Sequence, residues 1–196
     1  MNTDRALSSL SPGITTMIRM DHSHVLTMSH RYRVESDPAR KKTIVDAICL
    51  ALEIHAQLEE EIFYPALETV ATGNAVLTKS RPEHDEMKRL IAQLRSMAPE
   101  DRGYDRAFLE LMRDVIHHVA DEETVLLPAA ESLLAEQLPV LGARMTRRRM
   151  QLAAPHAGQL LVGSVRTLPP AMVAMTATLF VGGLLLGLAL RRPSRW

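Results

Sequence analysis

The sequence is poor in aromatic residues and in cysteine. Aromatic side chains make up 4% of its 196 residues, and the single cysteine, Cys49, excludes a disulfide within one chain. Cys49 lies in an apolar stretch (AICLALEI), and we interpret it as a core residue. The first residues, MNTDRALSSLSPG, contain no apolar run, so we expect no signal peptide. Methionine, alanine, leucine, glutamate and arginine are frequent and favour helices.

Acidic residues are missing from the last part of the chain. All 23 acids lie within residues 1–136, together with 15 basic residues, whereas the chain from Gln137 onward carries eight arginines and no acid. The formal net charge of zero hides this asymmetry. Two parts of opposite charge usually have different roles.

Four segments of the acidic part predict long helices. Their expected bounds are Ser11-Pro12 to about Val34, Asp37-Pro38 to about Ala71, Ser80 to about Met97, and about Tyr104 to Ala135. Pro82 is expected in the first turn of the third helix. Long helices joined by short loops predict an all-α fold, an up-down-up-down four-helix bundle over residues 12–136.

The basic part contains a long uncharged run. Ala171 to Leu190 is 20 residues without a charge, about 30 Å as a helix, which matches one hydrocarbon thickness. We predict a transmembrane helix over residues 170–191, in a single-pass, tail-anchored protein whose bundle lies in the cytoplasm. Gly183 and Gly187 could pair two such helices in a homodimer.

The segment between the bundle and this run, residues 137–169, is predicted to be a basic juxtamembrane linker. It is either a solvated spacer or, the interpretation we favour, an interfacial segment whose arginines meet anionic headgroups.

One sequence pattern occurs twice. Residues 55–65 read HAQLEEEIFYP and residues 118–128 read HVADEETVLLP, so each copy has a histidine, a glutamate four residues later and a proline six residues after that. Asp21-His22 is likewise echoed by Glu83-His84. Two helix pairs of one design are predicted to be related by duplication.

The repeated histidines and glutamates fall within the apolar stripes of their own helices. The stripes are Ile14, Ile18, His22, Val25 and Ser29; Ile44, Ile48, Leu52, His55, Glu59, Ile62 and Ala66; His84, Met87, Ile91 and Leu94; and Leu111, Val115, His118, Glu122, Val125 and Ala129. Because apolar stripes of a bundle face its core, four histidines and two glutamates should point inward.

Two buried carboxylates without an inward lysine or arginine need a positive charge close by. A metal ion supplies that charge, and imidazole nitrogens are ready ligands. Six protein ligands are too many for one tetrahedral zinc and suit two irons that share bridging carboxylates. The predicted metal ligands are His22, His55, Glu59, His84, His118 and Glu122.

This pattern resembles the hemerythrin-like, or HHE cation-binding, family. The matching elements are Asp21-His22, His55-x3-Glu59 with Phe63-Tyr64-Pro65, Glu83-His84, and His118-x3-Glu122 with Pro128. The resemblance covers residues 12–136 and implies a four-helix bundle that holds non-haem iron, usually as an oxygen-bridged pair, on the six ligands named above. Oxygen-carrying hemerythrins have a second histidine where Lys88 stands here, and an aspartate at i+5 where Glu122 stands at i+4.

These departures from the oxygen carriers leave several functions open. The first is a membrane-anchored protein with two irons, bridged by oxo or hydroxo groups and carboxylates, that binds or senses O2, NO or peroxide. The second is an enzyme that decomposes peroxide or reduces NO, and the third is an iron-sensing module that acts through a protein partner. The inward glutamates argue against a metal-free structural anchor. We expect a metal-binding protein rather than a dedicated enzyme, and no nucleic-acid partner.

Several further polar residues are assigned to other roles. Glu60, Glu61 and Glu123 are expected to contact the ligands or to lie on the surface, with the alternative that one of them replaces a ligand. Tyr32 and Tyr64 either line the pocket or, the interpretation we favour, pack in the core. The remaining histidines, His24, His30, His117 and His156, are expected outside the site.

Overall fold

The computed structural model describes residues 12–156, and helices account for nearly all of them. The helices are α1 (Ile14–Ser29); α2 (Pro38–Leu58, continued over Glu59–Phe63 and Tyr64–Glu68); α3 (Ala75–Ser96); α4 (Tyr104–Asp121, continued over Glu122–Leu126 and Leu127–Leu133); and α5 (Leu138–Ala153), which a short turn, Ala154–His156, follows. No strand occurs between residues 12 and 156. The prediction of an all-helical protein is confirmed.

Side-chain caps fix two of the helix starts. The Asp37 carboxylate accepts hydrogen bonds from two backbone N–H groups at the start of α2, and Pro38 takes the first helical position. The Asn74 side chain does the same at the start of α3. The third helix therefore begins at Ala75, and the predicted start at Ser80 was wrong. Pro82 consequently lies inside α3 and not in its first turn.

Both α2 and α4 widen into a π-helix at the glutamate of the repeated pattern. The π segments are Glu59–Phe63 and Glu122–Leu126. A π turn accommodates one extra residue, so it rotates the following part of the helix relative to an uninterrupted α-helix. On α4 the predicted stripe is therefore wrong beyond Glu122. Val125 is 37% exposed, whereas Leu126 and Ala130 are fully buried.

The helices pack in pairs around two apolar clusters. The most extensive contacts join α1 with α2 and α3 with α4, in line with the two predicted helix pairs. One cluster contains Val25, Ile48, Cys49, Ile91, Phe108 and Val115, and the other contains Ile18, Leu58, Phe63, Leu67, Leu126 and Leu141. The inward histidines and glutamates belong to neither cluster, and His22, His55 and Glu122 each lie in sequence between a member of one cluster and a member of the other. Cys49 is a core residue, as predicted.

The first part of the predicted linker is a helix that packs on the bundle. Helix α5 contacts α1 and α2, and it buries Leu141, Gly142, Ala143 and Met145. Arg148 and Arg149 form ion pairs with Glu61 and Asp21 of the bundle instead of pointing away from it. The excess of acids before Gln137 explains this docking, because opposite charges attract the basic segment to the acidic bundle.

Within residues 12–156, no single helix is both long enough and apolar enough to cross a membrane. One pair passes the same test only when taken together, Tyr104–Leu133 with Leu138–His156, and it is bent by 119°. The predicted transmembrane helix over residues 170–191 and the end of the predicted linker lie outside the described residues. Membrane anchoring therefore stays a prediction.

Gly142 lies where α5 meets the start of α1. A Cβ atom at this position would stand 2.1 Å from the carbonyl oxygen of Pro12 and 3.1 Å from the backbone of Gly13. We therefore expect Gly142→Ala to lower the free energy of unfolding by about 1–3 kcal/mol, although alanine favours a helix more than glycine does. Urea denaturation measures the change. Arg144→Ala, at an exposed position of α5, is the control and should shift stability by less than about 0.5 kcal/mol. An unchanged or higher stability of Gly142→Ala would contradict the close approach of α5.

Candidate metal centre

The six predicted ligands meet in one layer of the bundle. Helix α1 contributes a histidine, α2 a histidine and a glutamate, α3 a histidine, and α4 a histidine and a glutamate. None of the six is more than 6% exposed. Their donor atoms form two groups, each with all atoms within 4.8 Å of one another: His22, His55, Glu59 and Glu122 in the first, and Glu59, His84 and His118 in the second. Glu59 belongs to both groups.

Each imidazole directs its Nε2 atom at a glutamate. His22 Nε2 lies 3.2 Å from Glu122 Oε2, and His55 Nε2 lies 3.2 Å from Glu59 Oε2. In the second half, His84 Nε2 lies 3.4 Å from Glu59 Oε2, and His118 Nε2 lies 3.5 Å from Glu122 Oε2. The inner atoms of the site are therefore four ring nitrogens around two carboxylates.

The opposite nitrogen of each imidazole, Nδ1, contacts a second acid. The four pairs, with the distance from Nδ1 to the carboxylate oxygen, are His22–Glu123 (2.8 Å), His55–Asp21 (3.4 Å), His84–Glu60 (3.0 Å) and His118–Glu83 (2.9 Å). An ionised carboxylate only accepts hydrogen bonds, so Nδ1 carries the proton and Nε2 presents a lone pair. This is the arrangement that orients histidine ligands in metal sites.

The second acids follow the internal repeat. Asp21 and Glu83 precede the histidines of α1 and α3 and contact the histidines of α2 and α4. Glu60 and Glu123 follow the inner glutamates and each contact the histidine of the opposite half. Every one of these acids also has a basic partner: Arg149 for Asp21, Lys79 for Glu83, Lys88 for Glu60 and Arg19 for Glu123. The duplication predicted from the sequence therefore extends to the contacts around the ligands.

With neutral histidines and ionised glutamates, the inner layer is short of hydrogen-bond donors, because the Nε2 lone pairs face carboxylate oxygens. His22 Nε2, His55 Nε2, Glu59 Oε1 and Glu122 Oε2 are buried and have no hydrogen-bond partner. A buried acceptor without a partner costs roughly 1–3 kcal/mol. A metal ion coordinated by these atoms removes the cost for several of them at once, so the residues present fit a metal ion.

The pKa values of the inner residues also show that these carboxylates and imidazoles are buried without enough positive charge. Burial and the charge of Glu122 raise the pKa of Glu59 well above its usual range. Burial lowers the pKa of His55 to about 4, and it also lowers the pKa of His118. Burial opposes protonation of His22 as well, but the carboxylates of Glu122 and Glu59 outweigh it and raise the pKa of His22 to about 9. Without a metal ion, bound protons rather than a cation therefore offset the negative charge of the inner carboxylates.

A small cavity adjoins the histidine side of the layer. Its volume is about 20 Å³, enough for one water-sized molecule. The four histidines form one wall, and the apolar lining consists of Val25, Leu52, Ala56, Met87, Ile91, Val115 and Val119. The charged residues that reach it are Asp21, Glu53 and Lys88, and each of them is in an ion pair, with Arg149, Arg95 and Glu60 respectively.

A model of the hemerythrin HHE cation-binding domain matches residues 13–130. The chain belongs to this family. Its His/Glu cluster is thus the core of a hemerythrin-like metal-binding domain, and the metal of the family is typically iron.

Relatives of this HHE domain occur in bacteria and in a yeast. A DNA nickase of Nostoc sp. is 29% identical over 124 residues, which is 63% of this chain and 35% of that protein. An uncharacterized protein of Mycobacterium tuberculosis is 29% identical over 115 residues, 57% of this chain and 69% of that one. An uncharacterized hemerythrin-like protein of Schizosaccharomyces pombe is 24% identical over 154 residues, which is 78% of this chain and 76% of that protein. The match spans about a third of the Nostoc relative, and DNA nicking is the description of that protein.

A crystal structure with the same fold comes from Mycobacterium kansasii. It is a hemerythrin HHE cation-binding domain-containing protein with a TM-score of 0.64 and 19% sequence identity, and the similarity covers 80% of this chain and 99% of that one. At this level of identity the likeness concerns the fold.

Tyr64 is a further residue of the HHE site, which the sequence indicated only as the less favoured alternative. Its hydroxyl group lies 2.9 Å from Glu122 Oε1, to which it donates, and 3.2 Å from both Glu59 Oε2 and His84 Nε2. The favoured interpretation of Tyr64 as core packing was therefore wrong, and the alternative that it faces the site describes it better. Burial and the charges of the two glutamates strongly raise the pKa of its phenol, so it stays protonated and acts as a donor. The π turn brings Tyr64, five residues after Glu59, onto the inward face, and helical periodicity alone does not indicate this.

The remaining polar residues lie outside the donor layer. His24, His30 and His117 are exposed. Glu61 pairs with Arg148 at the surface, and Lys88, at the place of the second histidine of oxygen carriers, pairs with Glu60. The signal for the acids around the ligands was present in the sequence, since Asp21-His22 and Glu83-His84 repeat with the rest of the pattern.

Replacing both inner glutamates tests the donor layer. We expect Glu59→Ala with Glu122→Ala to lower metal affinity by far more than about tenfold, because the double variant removes the only inner carboxylates. Metal per chain after reconstitution and desalting measures the effect, and circular dichroism checks the fold. His24→Ala, on the exposed side of α1, should load like the original protein. Full occupancy in the double variant would show that the metal binds elsewhere.

Metal binding to the HHE site should strengthen as pH rises. The pKa of His22 is raised to about 9, so His22 holds a second proton near neutral pH, and a metal ion must displace this proton. The raised pKa of Glu59 acts in the same direction. Affinity should therefore rise between about pH 6 and about pH 8, by about tenfold per pH unit for each proton released. Calorimetry in buffers of different ionisation enthalpy counts the protons. An affinity that is constant or falls over this range would contradict the protonation assigned to the inner layer.

Proposed function

We propose that this HHE domain holds two iron ions, bridged by oxo or hydroxo groups and by carboxylate, and binds a small ligand such as O2, NO or peroxide beside them. The observation that carries the proposal is the shared Glu59, which belongs to both groups of buried donors. One tetrahedral ion uses four ligands, whereas six buried donors converge here, in two groups that share Glu59.

The histidines and their second acids orient the site for iron. Each Nδ1–H group donates to a carboxylate, so each ring is fixed with its Nε2 lone pair directed inward. Tyr64 holds a proton at its hydroxyl oxygen and donates it to Glu122, which fixes the position of that carboxylate. Iron in such a site supplies reversible ligation and one-electron redox chemistry.

The cavity supports binding of a small ligand rather than turnover. It has room for one molecule of about the size of water, and its apolar lining excludes bulk water from the histidine side. Proton-coupled turnover of peroxide or NO requires an acid or base within reach of the ligand. The charged residues that line the cavity are held in ion pairs, and Tyr64 does not line it. This arrangement favours a binding protein over an enzyme.

Iron content and absorption of the full chain, purified in detergent, test the dinuclear site. We expect two irons per chain and charge-transfer bands in a range of roughly 320–380 nm, typical of ferric imidazole–carboxylate sites. Titration with NO and with peroxide should then perturb these bands, and NO should leave reversibly. One iron per chain would contradict the dinuclear proposal, and zinc in place of iron would contradict the choice of metal.

A change that fills the cavity tests its role. Val115 lines the cavity from α4, and Val115→Ile adds one methylene group. We expect unchanged iron content and slower ligand association, by about tenfold or more, because the added group occupies the space beside the histidines. Stopped-flow absorption measures the rate. Ile116→Val, at the exposed neighbouring position, is the control. Equal association rates in Val115→Ile and the original protein would show that the ligand enters from another side.

A further inference from the structure

The four acids that hold the histidines differ in where their basic partners come from. Glu83, Glu60 and Glu123 are paired with Lys79, Lys88 and Arg19, all on α1 or α3. Asp21 is paired with Arg149, which lies on α5. The match to the HHE family ends at residue 130, so α5 lies beyond it. One of the four contacts around the ligands thus depends on a helix added to the four-helix bundle.

The internal repeat shows which basic residue is missing from the first half of the bundle and is replaced by one from α5. Glu83 is the counterpart of Asp21, and its partner Lys79 stands four residues earlier on the same helix. The position four residues before Asp21 holds Met17, which is buried and carries no charge. Helix α5 packs at this place, since the Thr146 hydroxyl lies 3.4 Å from Met17 Sδ. The first half of the bundle therefore lacks its own cation for Asp21, and α5 supplies one.

The contact between Arg149 and Asp21 is a bidentate ion pair, which is among the strongest hydrogen-bonded contacts between side chains. The two terminal nitrogens of the guanidinium donate to the two carboxylate oxygens, at 2.6 and 2.5 Å, the paired geometry that fixes orientation as well as charge. The oxygen Oδ2 that accepts from Arg149 is also the one that faces His55 Nδ1, at 3.4 Å. This is the longest of the four histidine–acid contacts. The orientation of Asp21 toward His55 therefore relies on Arg149.

We propose that Arg149 is a positioning residue of the metal centre, acting through Asp21 on His55, so that docking of α5 sets how firmly the metal is held. The inference rests on the proposed function of this site. Without Arg149, the Asp21 carboxylate lies at the edge of the bundle with no cation to hold it, and it turns to solvent. His55 then loses the acceptor of its Nδ1–H group and with it the fixed ring orientation.

Arg148 offers a matched control for this proposal. It neighbours Arg149 on α5, its side chain is 33% exposed as is that of Arg149, and it also donates twice to one carboxylate, that of Glu61. Glu61 contacts Gln57 and none of the ligands. Both arginines form ion pairs with the bundle, but of the two only Arg149 pairs with an acid that contacts a histidine of the metal site.

The experiment compares iron release from the full chain, loaded with ferrous iron, to an excess of chelator. We expect Arg149→Ala to release iron about 10–100-fold faster, as loss of a hydrogen-bond partner of a ligand does. In air-oxidised samples of the same variants, the ferric absorption bands should shift in Arg149→Ala and not in Arg148→Ala. Arg148→Ala should release iron within about twofold of the original rate, although both variants lose thermal stability to a similar extent. Equal release from Arg148→Ala and Arg149→Ala would overturn the proposal, because Arg149 would then only fasten α5.

A double-mutant cycle separates action through Asp21 from a general loosening. Asp21→Asn should accelerate release as much as Arg149→Ala, and the double variant should be no faster than Asp21→Asn alone. Multiplicative effects of the two changes would overturn the proposal. If Arg149→Ala does not fold, Arg149→Lys and Arg148→Lys form the same pair, since lysine keeps the charge and loses the two parallel hydrogen bonds. Faster release only in Arg149→Lys is expected, and equal release contradicts the proposal.

The outcomes also separate this inference from the function on which it rests. An original protein that takes up no iron would overturn both. An original protein that holds iron and releases it at the same rate as Arg149→Ala would overturn only the role of α5.

Discussion

Lone pairs that face lone pairs at the centre of the bundle are the constraint on which the rest of the molecule depends. Four imidazole nitrogens and two carboxylates are buried together, and several of them have no hydrogen-bond partner. Such a layer is stable in an apolar interior only if a cation or bound protons offset the carboxylates and if each donor is held in place from behind. The acids around the histidines, the basic residues behind those acids and the apolar clusters on either side all serve that layer.

Much of this arrangement was readable from helical periodicity. His22, His55, Glu59, His84, His118 and Glu122 stand in register with apolar neighbours, and a residue in the apolar stripe of a bundle helix faces the core. The internal repeat added the pairing of the two halves. Both patterns can be recognised in the sequence alone because they are local or periodic. Together they indicated where the donor layer lies.

The features that were missed are those in which the helix departs from a regular period or in which charge acts at long range. The π turns shift Leu126 inward and bring Tyr64 over the glutamates, and an uninterrupted α-helix does not predict either position. Helix α5 was assigned to a linker because its arginines indicate a solvated or membrane-facing segment. Two of them, Arg148 and Arg149, pair instead with Glu61 and Asp21, which lie 87 and 128 residues away along the chain.

The two π turns also limit how this site could be transplanted. In a straight α-helix, the four-residue step from histidine to glutamate and the packing of the next apolar turn belong to one continuous stripe. Here the stripe changes face at Glu59 and again at Glu122. A designer who copied the six donors onto an ideal four-helix scaffold would keep the histidines and glutamates but turn Leu126 toward solvent, and Tyr64 away from the carboxylates. A transferable version of the site must therefore carry its irregular turns with it.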